Sequence, residues 1–236
     1  MVFNLKIITN YSGGKGGVGK STLFSLITVF TSVRLNVLLI DVSEEGGCST
    51  IMLGNPEPPY AGNVSNVEEF FNAIGKYTIT VDERKDNLSS DFYMIPNRGK
   101  LDPIAFHSVF EKTIPYLQEY FDLVLIDLPT FQSSNEMYKP YLGYEVLAIA
   151  EPSIASVNSI MENSSQFIYV LNVPRPTPKK VIMQALNAFK EMGIKPFFFP
   201  YDPAVSLLAR NFIKSIKSLS KDFQKSLVEL ILHIAG

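Results

Sequence analysis

Apolar positions in this chain follow two patterns. In the first, apolar residues run without alternation through Asn36–Ile40, Leu123–Ile126, Val146–Ala150 and Phe167–Leu171. Unbroken aliphatic runs suit strands covered on both faces, as in a parallel sheet. Leu5–Thr9, Phe92–Ile95 and Pro196–Phe199 are shorter strand candidates. In the second, apolar residues recur at three and four places, as Leu23, Leu26, Ile27 and Phe30 do within Ser21–Val33. Pro103–Tyr120, Lys179–Met192 and Ser206–Ile234 are also amphipathic and predict helices. Strands alternating with helices imply an α/β fold, with a doubly wound, mostly parallel sheet and helices on both faces. Ligands of such sheets sit at the carboxyl ends of the strands. Asp41 and Asp127 each end a strand at that edge.

The chain has 236 residues, 46% of them hydrophobic, enough for one large core. No Gly/Ser-rich or charged linker divides it, so residues 1–236 are expected to form a single domain. A net charge of −2 excludes a protein coated in basic residues, so any nucleic-acid contact must come from a local patch. Cys48 is the only cysteine, which rules out a disulfide within the chain and fits a reducing cytosol. The start, MVFNLKIITN, is too polar after Ile8 for a signal peptide. No apolar run reaches the roughly 18 residues of a membrane span. The expected location is cytoplasmic.

Gly14 to Ser21 matches G-x-x-x-x-G-K-[ST], between a predicted strand and a predicted helix. Glycines here let several backbone N–H groups converge on an anion at the helix start. The loop Gly14, Lys15, Gly16, Gly17, Val18, Gly19, Lys20, Ser21 and Thr22 is therefore the candidate ATP site. Lys20 would reach the β- and γ-phosphates, Ser21 would ligate Mg²⁺, and Thr22 would close the nest around the α-phosphate. Asp127 stands where a phosphate-loop enzyme keeps its metal-supporting carboxylate. The plainer alternatives are a Gly-rich turn before an ordinary helix and an aspartate that caps a turn.

KGGVGKST (15–22), VLLIDVSEEGGCST (37–50) and FDLVLIDLP (121–129) together resemble the ParA/MinD family of P-loop ATPases with a deviant phosphate loop. The likeness covers the first 130 residues and is looser beyond. The resemblance implies that Lys15 crosses to the ATP of a second subunit, giving a homodimer sandwiched on nucleotide. It further implies that Asp41 belongs to switch I, near Mg²⁺ and the γ-phosphate, that Asp127-Leu128-Pro129 is switch II, and that Asn172 recognises adenine. On this reading Lys15, Lys20 and Asp41 carry catalysis and Ser21, Asp41 and Asp127 the metal. A turn-capping role for Asn172 and a solvated role for Lys15 stand as alternatives. Two departures from the family pattern are visible. Gly13 is an extra residue before the loop, read as harmless. Ser43 replaces the second switch I aspartate, and a serine hydroxyl supplies neither a general base nor a negative charge. Glu44 or Glu45 would have to substitute, or hydrolysis is slow.

Drawn as one helix, Ser206–Ile234 gathers Arg210, Lys214, Lys217, Lys221 and Lys225 within roughly 80°. Phe212, Ile216, Leu219, Phe223 and Leu227 lie opposite, with Ser218–Ser220 as a point where the helix could break. A basic stripe suits sequence-independent DNA contacts, which a dimer would double. The expectation is a ParA-type partition ATPase, nucleoid-associated, with a ParB-like centromere-binding partner implied by the resemblance. The alternatives are a MinD-like switch using Phe223–Ile234 at a membrane, without stable insertion, and an ATP-binding switch with little hydrolysis.

Overall fold

The computed structural model describes residues 5–80, 89–161 and 167–236. The first four residues, part of the stretch read for a signal peptide, lie outside it. Among the described residues eight strands form one sheet: β1 (Lys6–Tyr11), β2 (Val37–Asp41), β3 (Gly75–Thr80), β4 (Ser89–Ile95), β5 (Leu123–Asp127), β6 (Glu145–Ala150), β7 (Phe167–Asn172) and β8 (Phe197–Phe199). Their order is β3-β4-β2-β5-β1-β6-β7-β8. All neighbours are parallel except the edge pair β3–β4. The mostly parallel α/β sheet expected from the apolar runs is therefore present.

The helices are α1 (Lys20–Thr31), α2 (Gly47–Leu53), α3 (Val67–Asn72), α4 (Pro103–Leu117), α5 (Ile154–Met161), α6 (Lys179–Glu191), α7 (Phe212–Lys217) and α8 (Lys221–Ala235). They form two layers, each closing over its own core. Val37 and Leu39 of β2 and Leu123 and Leu125 of β5 face a core built with α1, α7 and α8. Leu38, Ile40, Val124 and Ile126 point the other way, toward α3, α4, α5 and α6. Side chains alternate across a strand, so a sheet covered on both faces needs apolar residues at every position.

One expectation is corrected and one gap is filled. The segment 42–80, left unassigned by the sequence reading, contains α2, α3 and β3, none of them an unbroken apolar run. Ser206–Ile234 is not one helix: a 3₁₀ turn (Val205–Leu207) precedes α7, and Ser218–Ser220 interrupts the chain before α8. The break is anchored. Asp202 accepts from Ser220 N at 2.7 Å, and Ser220 Oγ caps α8 by accepting from Phe223 N. A capping hydroxyl and a competing carboxylate satisfy the donors that a continuous helix would have bonded internally. Apolar and basic positions still separate: Phe212, Ile216, Leu219, Phe223 and Leu227 are buried. Arg210, Lys214, Lys217, Lys221 and Lys225 are exposed, although Arg210 lies outside any helix.

Phe223 fastens α8 to the sheet edge, its ring 5.1 Å from that of Phe199. Phe223→Ala should destabilise the protein by about 3–5 kcal/mol. A urea-unfolding midpoint unchanged by the substitution would contradict that packing.

Candidate functional site

The site forms where β1, β2 and β5 end together. The β2–β5 register places Asp41 directly beside Asp127, and the loop leaving β1 turns over both and enters α1. Ser12 braces that loop: its carbonyl accepts from Lys15 N at 3.0 Å, and its hydroxyl donates to Lys15 O at 2.7 Å. Gly19, at φ +96°, closes the loop in a left-handed conformation. A Cβ there would stand 2.4 Å from Asn172 Nδ2, so both backbone angle and space require glycine. Among the described residues no side chain caps α1. Its first-turn N–H groups thus stay available to a bound anion.

A cavity of about 850 Å³ opens above the loop. It is lined by Gly17–Thr22, by Ser43, Glu44 and Glu45, and by Leu128, Pro129 and Thr130. The structure thus brings together the loop and the residues after both strand-end aspartates. Lys20 is buried at 8% exposure, its Nζ donating to Thr130 Oγ1 at 3.0 Å. Lys15 is exposed at the loop's rim and forms no ion pair among the described residues.

No family model and no curated protein matches the sequence. Solved structures do match in shape. An ATP complex of a McdA variant from Cyanothece superposes with a TM-score of 0.71 at 18% identity, covering 98% of this chain and 96% of that one. The cell division ATPase MinD of Pyrococcus furiosus gives 0.69 at 23%, covering 97% and 98%. A putative plasmid partition protein of Borrelia burgdorferi bound to AMPPNP gives 0.62 at 19%, covering 98% of each chain. The fold is that of the MinD and ParA P-loop ATPases.

Within this MinD/ParA fold the two aspartates are held differently. Asp41 accepts from Ser43 N, Ser49 N and Ser49 Oγ at 2.6–2.9 Å. Asp127 accepts from Asn10 Nδ2 at 2.5 Å and from Cys48 N at 2.9 Å. Burial pushes the Asp41 carboxyl up to about 7, the charge of Asp127 adds to the rise, and the Ser49 and Ser43 bonds oppose it. Burial also lowers the Lys20 pKa, with Asp127 opposing, and raises that of the Cys48 thiol, helped by Asp127 and Asp41.

The donors present fit a hard cation. A Cβ built on Gly47 would meet Asp127 Oδ2 at 2.4 Å and Ser21 Oγ at 2.8 Å, so these two oxygens converge on one small region. Among the described residues no cluster of three His, Cys, Asp or Glu side chains could hold a metal unaided. Magnesium is commonly held in this way, through one or two protein oxygens with substrate phosphates completing the shell.

Other placements refine the reading. Asn172 is buried and donates to Val18 O at 2.7 Å, bracing the phosphate loop from beneath. Gly13 occupies a position that requires glycine. At φ +58° it packs on α5, where a Cβ would lie 2.4 Å from Ser159 O and Oγ. Glu44 and Glu45 both line the cavity and are exposed. Sequence reasoning missed Asn10, Ser49 and Thr130. Only Asn10 left a trace, as a polar residue near the end of the apolar run of β1. Its Oδ1 also accepts from Leu128 N, tying the segment after β5 to β1.

Gly13→Ala should cost about 1–3 kcal/mol of stability, read from the urea midpoint. In metal-free protein, Asp41 titrates near 7 when folded against an ordinary value of 3.8. Between these values the native state holds a proton that the unfolded chain has released. The stability it contributes is complete below about pH 4 and is lost as pH rises through 7. Asp41→Asn should flatten that slope in urea titrations with EDTA between about pH 4 and 7. An unchanged slope would show that Asp41 is not its source.

Proposed function

We propose that this chain is an ATP-dependent dimerisation switch of the ParA type, binding ATP and Mg²⁺ and acting in DNA partition or positioning. The observation that carries the reading is the separation of its two loop lysines. Lys20 is buried within the cavity, where it would bind the β- and γ-phosphates of its own nucleotide. Lys15 stands outside on an exposed, Ser12-braced turn, which supports a role at the nucleotide of a second copy. An extra cation at the transferring phosphoryl group offsets charge that develops in the transition state. Ser21 and Asp127 would hold the metal, with Asp41 beside them. Bound Mg²⁺ would supply Lewis-acid neutralisation of the phosphate oxygens. Asn172 would reach adenine through its carbonyl oxygen or its second amide N–H, since one N–H already serves Val18.

Hydrolysis is the second half of the proposed cycle. Ser43 brings no carboxylate to switch I, so turnover would be slow unless Glu44 or Glu45 moves inward. Slow turnover suits a switch whose dimer persists until a partner, such as a ParB-like protein, accelerates its reset.

The exposed lysines of α7 and α8 support non-specific DNA binding and a nucleoid association. They do not share one groove. Arg210 and Lys214 border one, and Lys225 borders another beside Asp222 and Glu229. Lys217 and Lys221 flank the break between the helices. The membrane alternative is less well supported, because Phe223, Leu227, Leu230 and Ile234 of α8 are buried in the domain core. Among the described residues no helix is long and apolar enough to cross a membrane.

Light scattering and gel shifts on random-sequence DNA test the proposal. With ATP and Mg²⁺ the wild type should dimerise and retard DNA, and raised salt should weaken that binding. Lys15→Ala should still bind nucleotide but remain monomeric. Lys214→Glu with Lys217→Glu should reduce the salt-dependence slope by about one for each DNA phosphate no longer neutralised. Dimerisation by Lys15→Ala would overturn the shared-nucleotide reading. ATP-dependent liposome binding without a DNA shift would favour the membrane alternative.

A further inference from the structure

The cavity holds a hydroxyl to which neither the loop pattern nor the family resemblance gives a role. Thr130, three residues beyond Asp127, leans back over the phosphate loop. Its Oγ1 accepts from Lys20 Nζ at 3.0 Å. A Cβ on Gly16 would stand 3.9 Å from the same atom. The hydroxyl therefore lies between the loop backbone and the buried ammonium, in the space where phosphates would sit.

Neither group is fully satisfied by partners among the described residues, Lys20 in a buried position and Thr130 in an exposed one. An ammonium has three donors, yet Thr130 Oγ1 is the only side-chain acceptor of Lys20 among the described residues. A buried cation left with free donors is costly unless an anion arrives. Thr130 in turn donates to no group among the described residues, so its proton remains free to meet an incoming oxygen.

We propose that Thr130 is the γ-phosphate-sensing residue of this site: it holds Lys20 before nucleotide binds and then donates its hydroxyl proton to a γ-phosphate oxygen. This rests on the ATP-binding reading above and adds to it the means of telling triphosphate from diphosphate. A diphosphate presents no oxygen at the γ position, so the hydroxyl stays with Lys20. A triphosphate offers Lys20 an anion and Thr130 an acceptor together. Because Thr130 continues directly from β5 and Asp127, that bond also ties switch II to the nucleotide's state. It supplies a neutral donor in the cavity that Ser43 also lines, although it cannot replace a general base.

Thr130→Val keeps the branched shape without the hydroxyl, and Thr130→Ser keeps the hydroxyl. Fluorescence titrations with Mg²⁺ would compare a nonhydrolysable ATP analogue with ADP, and thermal melting would check the fold. A hydrogen bond to a charged group is worth about a ten- to hundredfold change in affinity. Thr130→Val should therefore weaken the analogue by about that factor while leaving ADP nearly unchanged, and Thr130→Ser should restore the preference. Equal weakening of both nucleotides, or of neither, in a folded Thr130→Val would overturn this role while leaving ATP binding intact. Failure of the wild type to bind either nucleotide would overturn the ATP-binding reading as well.

Discussion

Two carboxylates and one ammonium sit nearly out of water at the same edge of the sheet, and the architecture of the site follows from holding them there. Asp41 and Asp127 are fully buried and adjacent in register. Two like charges in so poor a solvent repel strongly. The fold answers with directed donors: backbone N–H groups of residues 43, 48 and 49, the Ser49 hydroxyl and the Asn10 amide. Helix α2 gives its beginning to this task. A short helix that the apolar pattern does not announce is thus central to the electrostatics.

The same edge explains why the phosphate loop is built as it is. Asn172 from β7 supports it below at Val18, Ser12 ties its first turn, and Ser159 of α5 closes around Gly13. These contacts come from three different segments of the chain. A loop braced from several sides loses little further entropy when an anion binds, so binding energy is not diverted into ordering it. Lys15 is the member left outside this bracing as a side chain, although its backbone is fixed. A fixed backbone whose cation is unpaired among the described residues fits the proposed reach toward a second copy.

The C-terminal region shows how one surface can answer two requirements. Its apolar residues complete the core beside α1 and its basic residues remain in solvent, and this holds although the helix is broken. Separation of charge from core depends on which residues touch the sheet, and it tolerates a change of helix direction. A continuous stripe requires a continuous helix, and the Asp202–Ser220 bond removes that condition.

The sheet-and-helix alternation, the phosphate loop and the two strand-end aspartates are legible in the order of residues alone. Each is written locally, in an uninterrupted apolar run or in glycines at fixed spacing, and needs no knowledge of distant residues. Folding settles the rest, namely which polar side chains meet at that edge. Asn10 reaches Asp127 across 117 positions, Thr130 reaches Lys20 across 110, and Asn172 reaches Val18 across 154. A hydrogen bond between residues so far apart leaves no periodicity in the chain, because it is set by strand order and crossover rather than by spacing. The break before α8 was visible as three residues able to interrupt a helix. That they do so required Asp202, whose carboxylate arrives from another turn of the fold.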